Sequence, residues 1–179
     1  MHSCCAPCTT FPLFLLRAEG YSVDGAFLNP NIHPDAERDK RWAVYQDFAR
    51  SERLSVRRLD SPHEQWLSGV SRDLEKPGRC RLCYENRLFP VARLAREEGY
   101  DFFTTSLLLS IYQDHQGIVA AAEAASREAG APFLYRDFRV GYRRSREMAR
   151  GRHLYMQKYC GCEFSVGEEG RMKGLRSSS

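Results

Sequence analysis

The chain lacks several features that define large protein classes. None of its apolar runs approaches the ~18 residues that a membrane-spanning helix needs, so we expect no membrane partner. It has no glycine-rich phosphate loop such as GxGxxG or GxxxxGK followed by Ser or Thr, which counts against an ATP-using enzyme. Only Met1, His2 and Ser3 precede Cys4, so no apolar signal-peptide core is present before it. We therefore expect a cytoplasmic protein.

What the chain does have is seven cysteines in three tight groups. Long cysteine-free runs separate these groups, although thiols that merely fill a core would be scattered. A site that needs several sulfurs at one point draws instead on short motifs from distant parts of a chain. The spacing therefore predicts one sulfur-rich site built from Cys4, Cys5 and Cys8, from Cys80 and Cys83, and from Cys160 and Cys162.

Three kinds of site use thiols in this way. A disulfide framework is typical of small secreted domains, and it is disfavoured here by the odd number of cysteines and the missing signal. Structural zinc and an iron–sulfur cluster are both held by paired thiolates such as Cys80-x-x-Cys83. The adjacent Cys4 and Cys5 suit a larger cluster, or two neighbouring metals, somewhat better than a zinc knuckle. Spacing alone leaves zinc and iron–sulfur open.

The order of apolar patterns predicts a single Rossmann-like doubly wound α/β domain, with a parallel sheet and helices on both faces. We assign residues 1–166 to this domain and expect 167–179 to be a polar, disordered tail. The strand that should precede Cys4 has almost no residues, so either it is very short or the true start lies upstream. Apolar periodicity predicts helices over 9–19, 34–50, 61–70, 81–98, 116–129 and 145–150, and strands over 21–28, 54–59, 102–109 and 132–135.

A basic segment lies near the last cysteines. Residues 136–158 hold eight basic side chains against two acidic ones, with Tyr and Phe interleaved, although the formal net charge of the chain is only +4. Basic patches with aromatics are an electrostatic footprint for nucleic acid, whereas a solvated helix face is the simpler alternative. Proximity to cysteines favours a polyanionic substrate. The candidate substrate-binding residues are Arg136, Arg139, Arg143 and Arg144.

Six short motifs, in order from His2 to about Phe164, together resemble the QueH-type epoxyqueuosine reductases. No single motif is decisive, but six in sequence make the match specific. Family members usually show an apolar strand before the adjacent cysteines, which this chain does not. The motifs are HSCCAPC (2–8), NPNIHP (29–34), RCRLCY (79–84), FTTSLL (103–108), YRDFR (135–139) and QKYCGC (157–162).

The resemblance implies an oxidoreductase acting on tRNA. The family catalyses the last step of queuosine synthesis, removing the epoxide oxygen of epoxyqueuosine at the anticodon wobble base and releasing water. It implies a [4Fe–4S] cluster, leaves room for an additional iron or zinc ion, and requires an external electron donor. Cys8 stands at a position that can carry a further ligating or acidic group, and we count it among the candidate catalytic residues, with an open role. The implied cluster ligands are Cys4, Cys5, Cys80 and Cys83, and the implied redox-active pair is Cys160 and Cys162.

The residue chemistry is consistent with that activity, because a dithiol supplies two electrons. A disulfide across Cys160-Gly161-Cys162 would close a very small, easily reduced ring, for which Gly161 provides backbone freedom. Asp137 is a candidate proton donor, and an ion pair with its arginine neighbours is the structural alternative. His33 and His115 are weaker candidates, because lone histidines are more often structural.

Two other functions stay open at this point. One is a zinc-stabilised tRNA- or nucleotide-binding α/β protein without redox chemistry. The other is a thiol oxidoreductase that acts through Cys160 and Cys162 alone, with the remaining cysteines structural.

Overall fold

The computed structural model describes residues 1–165, which form a mixed α/β fold with helices around a small parallel sheet. The predicted tail, 167–179, lies outside the described residues. No helix between residues 1 and 165 combines the length and apolar character needed to cross a bilayer. The elements are α1 (Ala6–Ala18), β1 (Gly25–Phe27), α2 (Asp35–Ser51), β2 (Val56–Arg58), α3 (His63–Val70), α4 (Gly78–Glu97), α5 (His115–Ala129) and α6 (Tyr142–Gly151), with 3-10 helices at Ser106–Leu109, Phe138–Gly141 and Glu163–Ser165.

The six predicted helices are confirmed, whereas the predicted strands are longer than the observed ones. The strand predicted over 102–109 is wrong in its second half, where Ser106–Leu109 is a 3-10 helix. The physical reason is local: the Thr105 side chain accepts a hydrogen bond from the Leu107 backbone N–H and caps a turn, which ends strand pairing. Apolar periodicity could not distinguish this buried turn from a buried strand.

The sheet is smaller than the doubly wound sheet that the sequence predicted. β1 and β2 pair in parallel, with Gly25 opposite Val56 and Phe27 opposite Arg58. Isolated parallel bridges continue the lateral order on the other side of β1, joining His2 to Ala26 and to Thr105, and Phe103 to Phe133. Within residues 1–165 these bridges do not amount to a full doubly wound sheet.

The segment before Cys4 lies at the centre of this arrangement. The His2 backbone N–H donates to Thr104 O at 2.8 Å, and the Ser3 N–H donates to Ala26 O at 2.8 Å. The buried His2 ring contacts Thr105 Oγ1 at 2.9 Å and Leu28 O at 3.1 Å. Burial, and then the charge of Arg87, lower the pKa of His2 to about 3, so the ring is neutral. Three residues are thus enough to place Cys4 at the carboxyl end of a central parallel segment.

Two apolar cores flank this central segment. The larger core packs α4 and α5 against Ser106–Leu109, with Leu88, Leu108 and Ile118 fully buried. The smaller core packs α2 against β1 and includes the buried Phe27 and Tyr45. Both cores therefore support the parallel segments, one of which leads into Cys4, Cys5 and Cys8.

The first prediction concerns the larger core. Leu88→Ala should lower the free energy of unfolding by about 2–5 kcal/mol, because the substitution leaves a cavity at a fully buried position. Leu67→Ala is the matched control, since the Leu67 side chain is 37% exposed and should cost less than about 0.5 kcal/mol. Urea denaturation at equal iron content would measure both. Equal shifts of the two midpoints would contradict the placement of Leu88.

Candidate metal and redox centre

The first cysteine group forms at the turn that enters α1. Cys5 is the N-cap residue in extended conformation, and Pro7 occupies the first turn, where its missing N–H costs nothing. This turn places Cys8 beside the adjacent pair Cys4 and Cys5. The Sγ atoms of Cys4 and Cys5 are 3.7 Å apart, and all three sulfurs lie within 4.8 Å of one another. Such a set of soft donors fits a metal centre.

The three thiols share a limited negative charge. Hydrogen bonds from the Cys5 and Cys8 thiols hold the pKa of Cys4 well below its usual range. Burial raises the pKa of Cys5, and hydrogen bonding to Cys4 raises the pKa of Cys8. These shifts favour one thiolate among the three, and a bound cation would favour ionisation of the others.

Two polar residues that the sequence analysis did not single out contact these sulfurs. Ser106 Oγ accepts a hydrogen bond from the Cys4 N–H at 3.2 Å and lies 3.7 Å from Cys4 Sγ. Gln157 Nε2 donates to Cys5 Sγ at 2.8 Å, with Cys8 Sγ at 3.6 Å. Among residues 1–165, no group donates a hydrogen bond to the buried Gln157 Oε1, which is consistent with a site that holds a further group. Both residues lie inside the six motifs, so the motifs were the sequence feature that could have identified them.

The second cysteine group lies in α4. Cys80 and Cys83 are three residues apart in the first turns of this helix, so they share one face. Burial raises the pKa of each thiol. Neither belongs to the group of sulfurs within 4.8 Å of Cys4. A cluster of four irons separates its ligands more widely than a single ion does, so convergence of these cysteines on one cluster stays a prediction.

The third group, Cys160 and Cys162, lies close to the second. Cys162 is buried and packs with Cys83 and Trp66, while Cys160 is exposed and interacts electrostatically with Cys80. All seven cysteines are free thiols, so the predicted redox pair is present here in its dithiol form. The second and third groups therefore form one neighbourhood.

The backbone of the pair requires glycine at its centre. Gly161 has a φ of +111°, a conformation that L side chains rarely adopt. A Cβ at this position would also lie 2.7 Å from the Ile32 side chain. Gly161 therefore supplies backbone freedom between the two free thiols, and its role in a disulfide ring stays a prediction.

The two thiols of the pair differ in acidity. A hydrogen bond from the Cys162 thiol lowers the pKa of Cys160 to about 5, while hydrogen bonding to Cys160 raises the pKa of Cys162. Ser165 Oγ lies 3.1 Å from Cys160 Sγ and donates to Cys162 O at 2.7 Å. These shifts favour a thiolate at Cys160 and a protonated thiol at Cys162.

Two buried arginines connect the three groups, and neither was predicted. Arg87 lies one helical turn after Cys83, donates to its backbone carbonyl at 3.2 Å, and interacts electrostatically with Cys83, Cys4 and Cys160. Arg41 donates to Cys160 O and Tyr159 O, each at 3.1 Å, and interacts electrostatically with Cys5. Their spacing from the buried apolar residues of their helices could have identified them, because each arginine continues the buried face of its helix.

The predicted acid and substrate residues lie mostly in ion pairs. Asp137 caps the 3-10 helix Phe138–Gly141, and its carboxylate accepts two hydrogen bonds from the Arg139 guanidinium, at 2.8 and 2.6 Å. That contact lowers the pKa of Asp137 to about 2. Arg136 pairs with Glu19 at 2.9 Å, and the exposed Arg143 pairs with Glu147 at 3.2 Å. Arg144 lies over the Phe14 ring, 5.9 Å from its centroid.

These contacts bear on two assignments that remain predictions. The Asp137 ion pair favours the structural alternative over proton donation, since an ionised carboxylate has no proton to give. His115 contacts Tyr135 Oη at 3.2 Å, and burial lowers the pKa of its ring. The tRNA-binding role of the arginines also remains a prediction.

Sequence comparisons assign a family. A family model described as epoxyqueuosine reductase QueH matches residues 1–168. An epoxyqueuosine reductase QueH of Dehalococcoides mccartyi is 36% identical over 169 residues, covering 94% of this chain and 92% of that protein. The Staphylococcus aureus (strain Mu50) protein of that name is 35% identical, covering 95% and 76%. The Thermotoga maritima protein is 31% identical, covering 94% and 90%.

The second prediction tests the acidity of the last pair. In the reduced protein, iodoacetamide should label Cys160 at a nearly constant rate down to about pH 6, because its pKa of about 5 leaves it a thiolate. The rate should fall as the pH drops through about 5. Cys162, whose pKa is raised, serves as the internal control, and peptide mass spectrometry would separate the two sites. A Cys160 rate that rises about tenfold per unit from pH 6 to 8 would contradict the assignment.

Proposed function

This chain belongs to the epoxyqueuosine reductase QueH family, and we propose that it reduces epoxyqueuosine at the tRNA anticodon wobble base to queuosine. The observation that carries the proposal is a family match over residues 1–168, which contains all seven cysteines. The protein is accordingly an oxidoreductase of tRNA modification. A tRNA substrate is the reason for proposing a cytoplasmic location.

The last pair can supply both electrons that the proposed reaction consumes. Removing the epoxide oxygen breaks two carbon–oxygen bonds, forms the alkene and releases water, which consumes two electrons and two protons. Oxidation of a Cys160 thiolate and a Cys162 thiol to a disulfide releases two electrons and one proton, so the second proton comes from solvent or from another acid. The Cys160 thiolate and the protonated Cys162 are suited to that role, because thiol–disulfide exchange needs one thiolate as nucleophile. An external electron donor would then restore the dithiol.

We propose that Cys4, Cys5, Cys80 and Cys83 hold a [4Fe–4S] cluster. Sulfur donors in buried surroundings, and the Arg87 cation between the cysteine groups, support this ligand set. When bound, such a cluster supplies electrons one at a time. Gln157 Nε2 would orient Cys5, and Ser106 would orient Cys4. The proximity of Cys8 supports a role for it beside the cluster, including as a ligand to an additional iron or zinc ion.

We also propose that the exposed arginines bind tRNA phosphates. Arg143 and Arg144 lie on α6, next to Arg136 and Arg139 in the preceding turn. Each exposed ion pair is weak, because solvent screens it, so phosphate groups could displace the acidic partners at little cost. Asp137 is retained as a candidate proton donor only if substrate binding displaces Arg139 from its carboxylate.

The parallel bridges at His2 and Phe103 support a doubly wound arrangement as a further proposal.

The third prediction separates cluster ligands from the redox pair. Cys80→Ser should remove iron from anaerobically purified protein, because it deletes a proposed ligand. Cys160→Ser and Cys162→Ser should each keep the iron and abolish turnover of epoxyqueuosine-containing tRNA. Iron analysis beside the activity assay would measure this. Iron loss in Cys162→Ser would show that the pair holds metal, and colourless protein with stoichiometric zinc would favour the zinc-stabilised alternative.

The fourth prediction concerns tRNA binding. The double variant Arg143→Glu with Arg144→Glu should weaken tRNA binding and flatten its salt dependence by about one unit of log–log slope per lost phosphate contact. Arg93→Glu with Arg96→Glu makes the same charge change on the exposed face of α4 and should leave the slope unchanged. Titrations at several salt concentrations would measure both. Equal slopes for the two double variants would contradict the proposal and indicate that the α6 arginines form a solvated face without phosphate contacts.

A further inference from the structure

We propose that His33, His63 and Glu163 bind a single divalent metal ion, at a site built without cysteine. One ligand atom from each of these residues lies within 4.8 Å of the other two. Two imidazoles and one carboxylate match the donor sets that bind zinc or ferrous iron and leave positions open for water or another ligand. The residues differ from the Cys4, Cys5 and Cys8 group, so the proposal concerns a separate site.

The orientation of His63 supplies the main argument. Its Nδ1 lies 2.8 Å from the carbonyl oxygen of Pro30, which only accepts hydrogen bonds, so Nδ1 carries the proton. In the neutral ring, Nε2 is then a bare lone pair, and it faces Glu163 Oε1 at 3.2 Å. His63 Nε2 and Glu163 Oε1 would then be two hydrogen-bond acceptors in contact, which is unfavourable unless a cation lies between them. A ligating histidine whose other nitrogen donates to a carbonyl is also the usual arrangement at metal sites.

The second imidazole distinguishes a metal ion from a proton. The His33 and His63 rings lie with centroids 4.8 Å apart and planes inclined by 31°. A proton on His63 would satisfy Glu163 alone, and the nitrogens of the nearby His33 ring would take no part in that contact. A divalent ion accepts lone pairs from both rings and from the carboxylate together. The three residues therefore suit a metal better than an ion pair.

The donors are held by separate and well-anchored parts of the chain. The His33 N–H donates to Gly161 O at 2.9 Å, and Tyr159 Oη donates to His33 O at 2.6 Å. The His63 ring packs on the buried Trp66, with ring centroids 5.2 Å apart. Glu163 opens the 3-10 helix that directly follows Cys162. Each donor is thus positioned before any ion binds, which lowers the cost of ordering the site.

The position of Glu163 indicates what the ion does. Glu163 is adjacent in sequence to Cys162, whereas His33 and His63 belong to the loop after β1 and to the start of α3. An ion shared by all three would fasten the Cys160–Cys162 segment to the body of the protein. The proposed role of the ion is therefore to position the redox pair. The sequence analysis treated His33 as a lone histidine and did not identify His63 and Glu163 as its partners.

The test uses the full-length protein purified anaerobically with its native metal content and supplied with Zn²⁺. After desalting, zinc and iron are counted by mass spectrometry, and X-ray absorption at the zinc edge reports the neighbours of the bound zinc. We expect one zinc equivalent with only nitrogen and oxygen neighbours, in addition to any zinc that the cysteine groups hold. His33→Ala and Glu163→Gln should each lose this equivalent while keeping the parent's iron content and circular dichroism. The exposed His153→Ala is the matched control and should keep the zinc.

The outcomes decide the proposal in either direction. Equal zinc content in the parent, His33→Ala and Glu163→Gln would overturn it, as would sulfur neighbours on the zinc that these variants lose. Zinc should also raise the midpoint of thermal unfolding of the parent, and the rise should be absent in His33→Ala. Because His33 is exposed, its substitution leaves the cores intact, so this variant decides the matter even if Glu163→Gln unfolds.

Discussion

Buried thiols ionise only where hydrogen bonds or nearby positive charge replace the lost water, and two buried arginines lie among the three cysteine groups of this protein. Arg87 faces all three cysteine groups, and Arg41 lies between the first group and the carbonyl oxygens of the third. A buried guanidinium is costly unless its partners are in place, so these contacts constrain both helices that carry the arginines. The cysteines, the arginines and the helix positions therefore depend on one another.

Polar contacts around the site explain why so little regular strand is enough to position the cysteines. The cysteines of the first group follow a central segment of three residues, which is held by backbone pairing on both sides and by the neutral His2 ring. Residues 152–165, the last that the structure describes, contain no strand, and contacts made by Arg41, Gln157 and His33 hold them against the rest of the protein. Polar contacts to the backbone thus replace sheet pairing near the site.

The proposed metal site and the proposed redox pair share one structural element. Gly161 packs on Ile32 and accepts a hydrogen bond from His33, so the turn between the two cysteines touches the loop that carries a proposed ligand. A change in the oxidation state of the pair would alter this turn, and an ion held by Glu163 would limit how far it moves. Metal binding and thiol chemistry are therefore expected to influence each other.

The sequence by itself determined the mixed α/β class, the helices, the family and the grouping of the cysteines, because these follow from local periodicity and short motifs. It did not determine that Ser106–Leu109 turns, since a buried turn and a buried strand show the same apolar run. Arg41, Arg87 and the trio of His33, His63 and Glu163 emerged only from the tertiary structure. Their roles depend on which distant thiol, ring or carboxylate each side chain meets, and that is decided when helices and loops pack together.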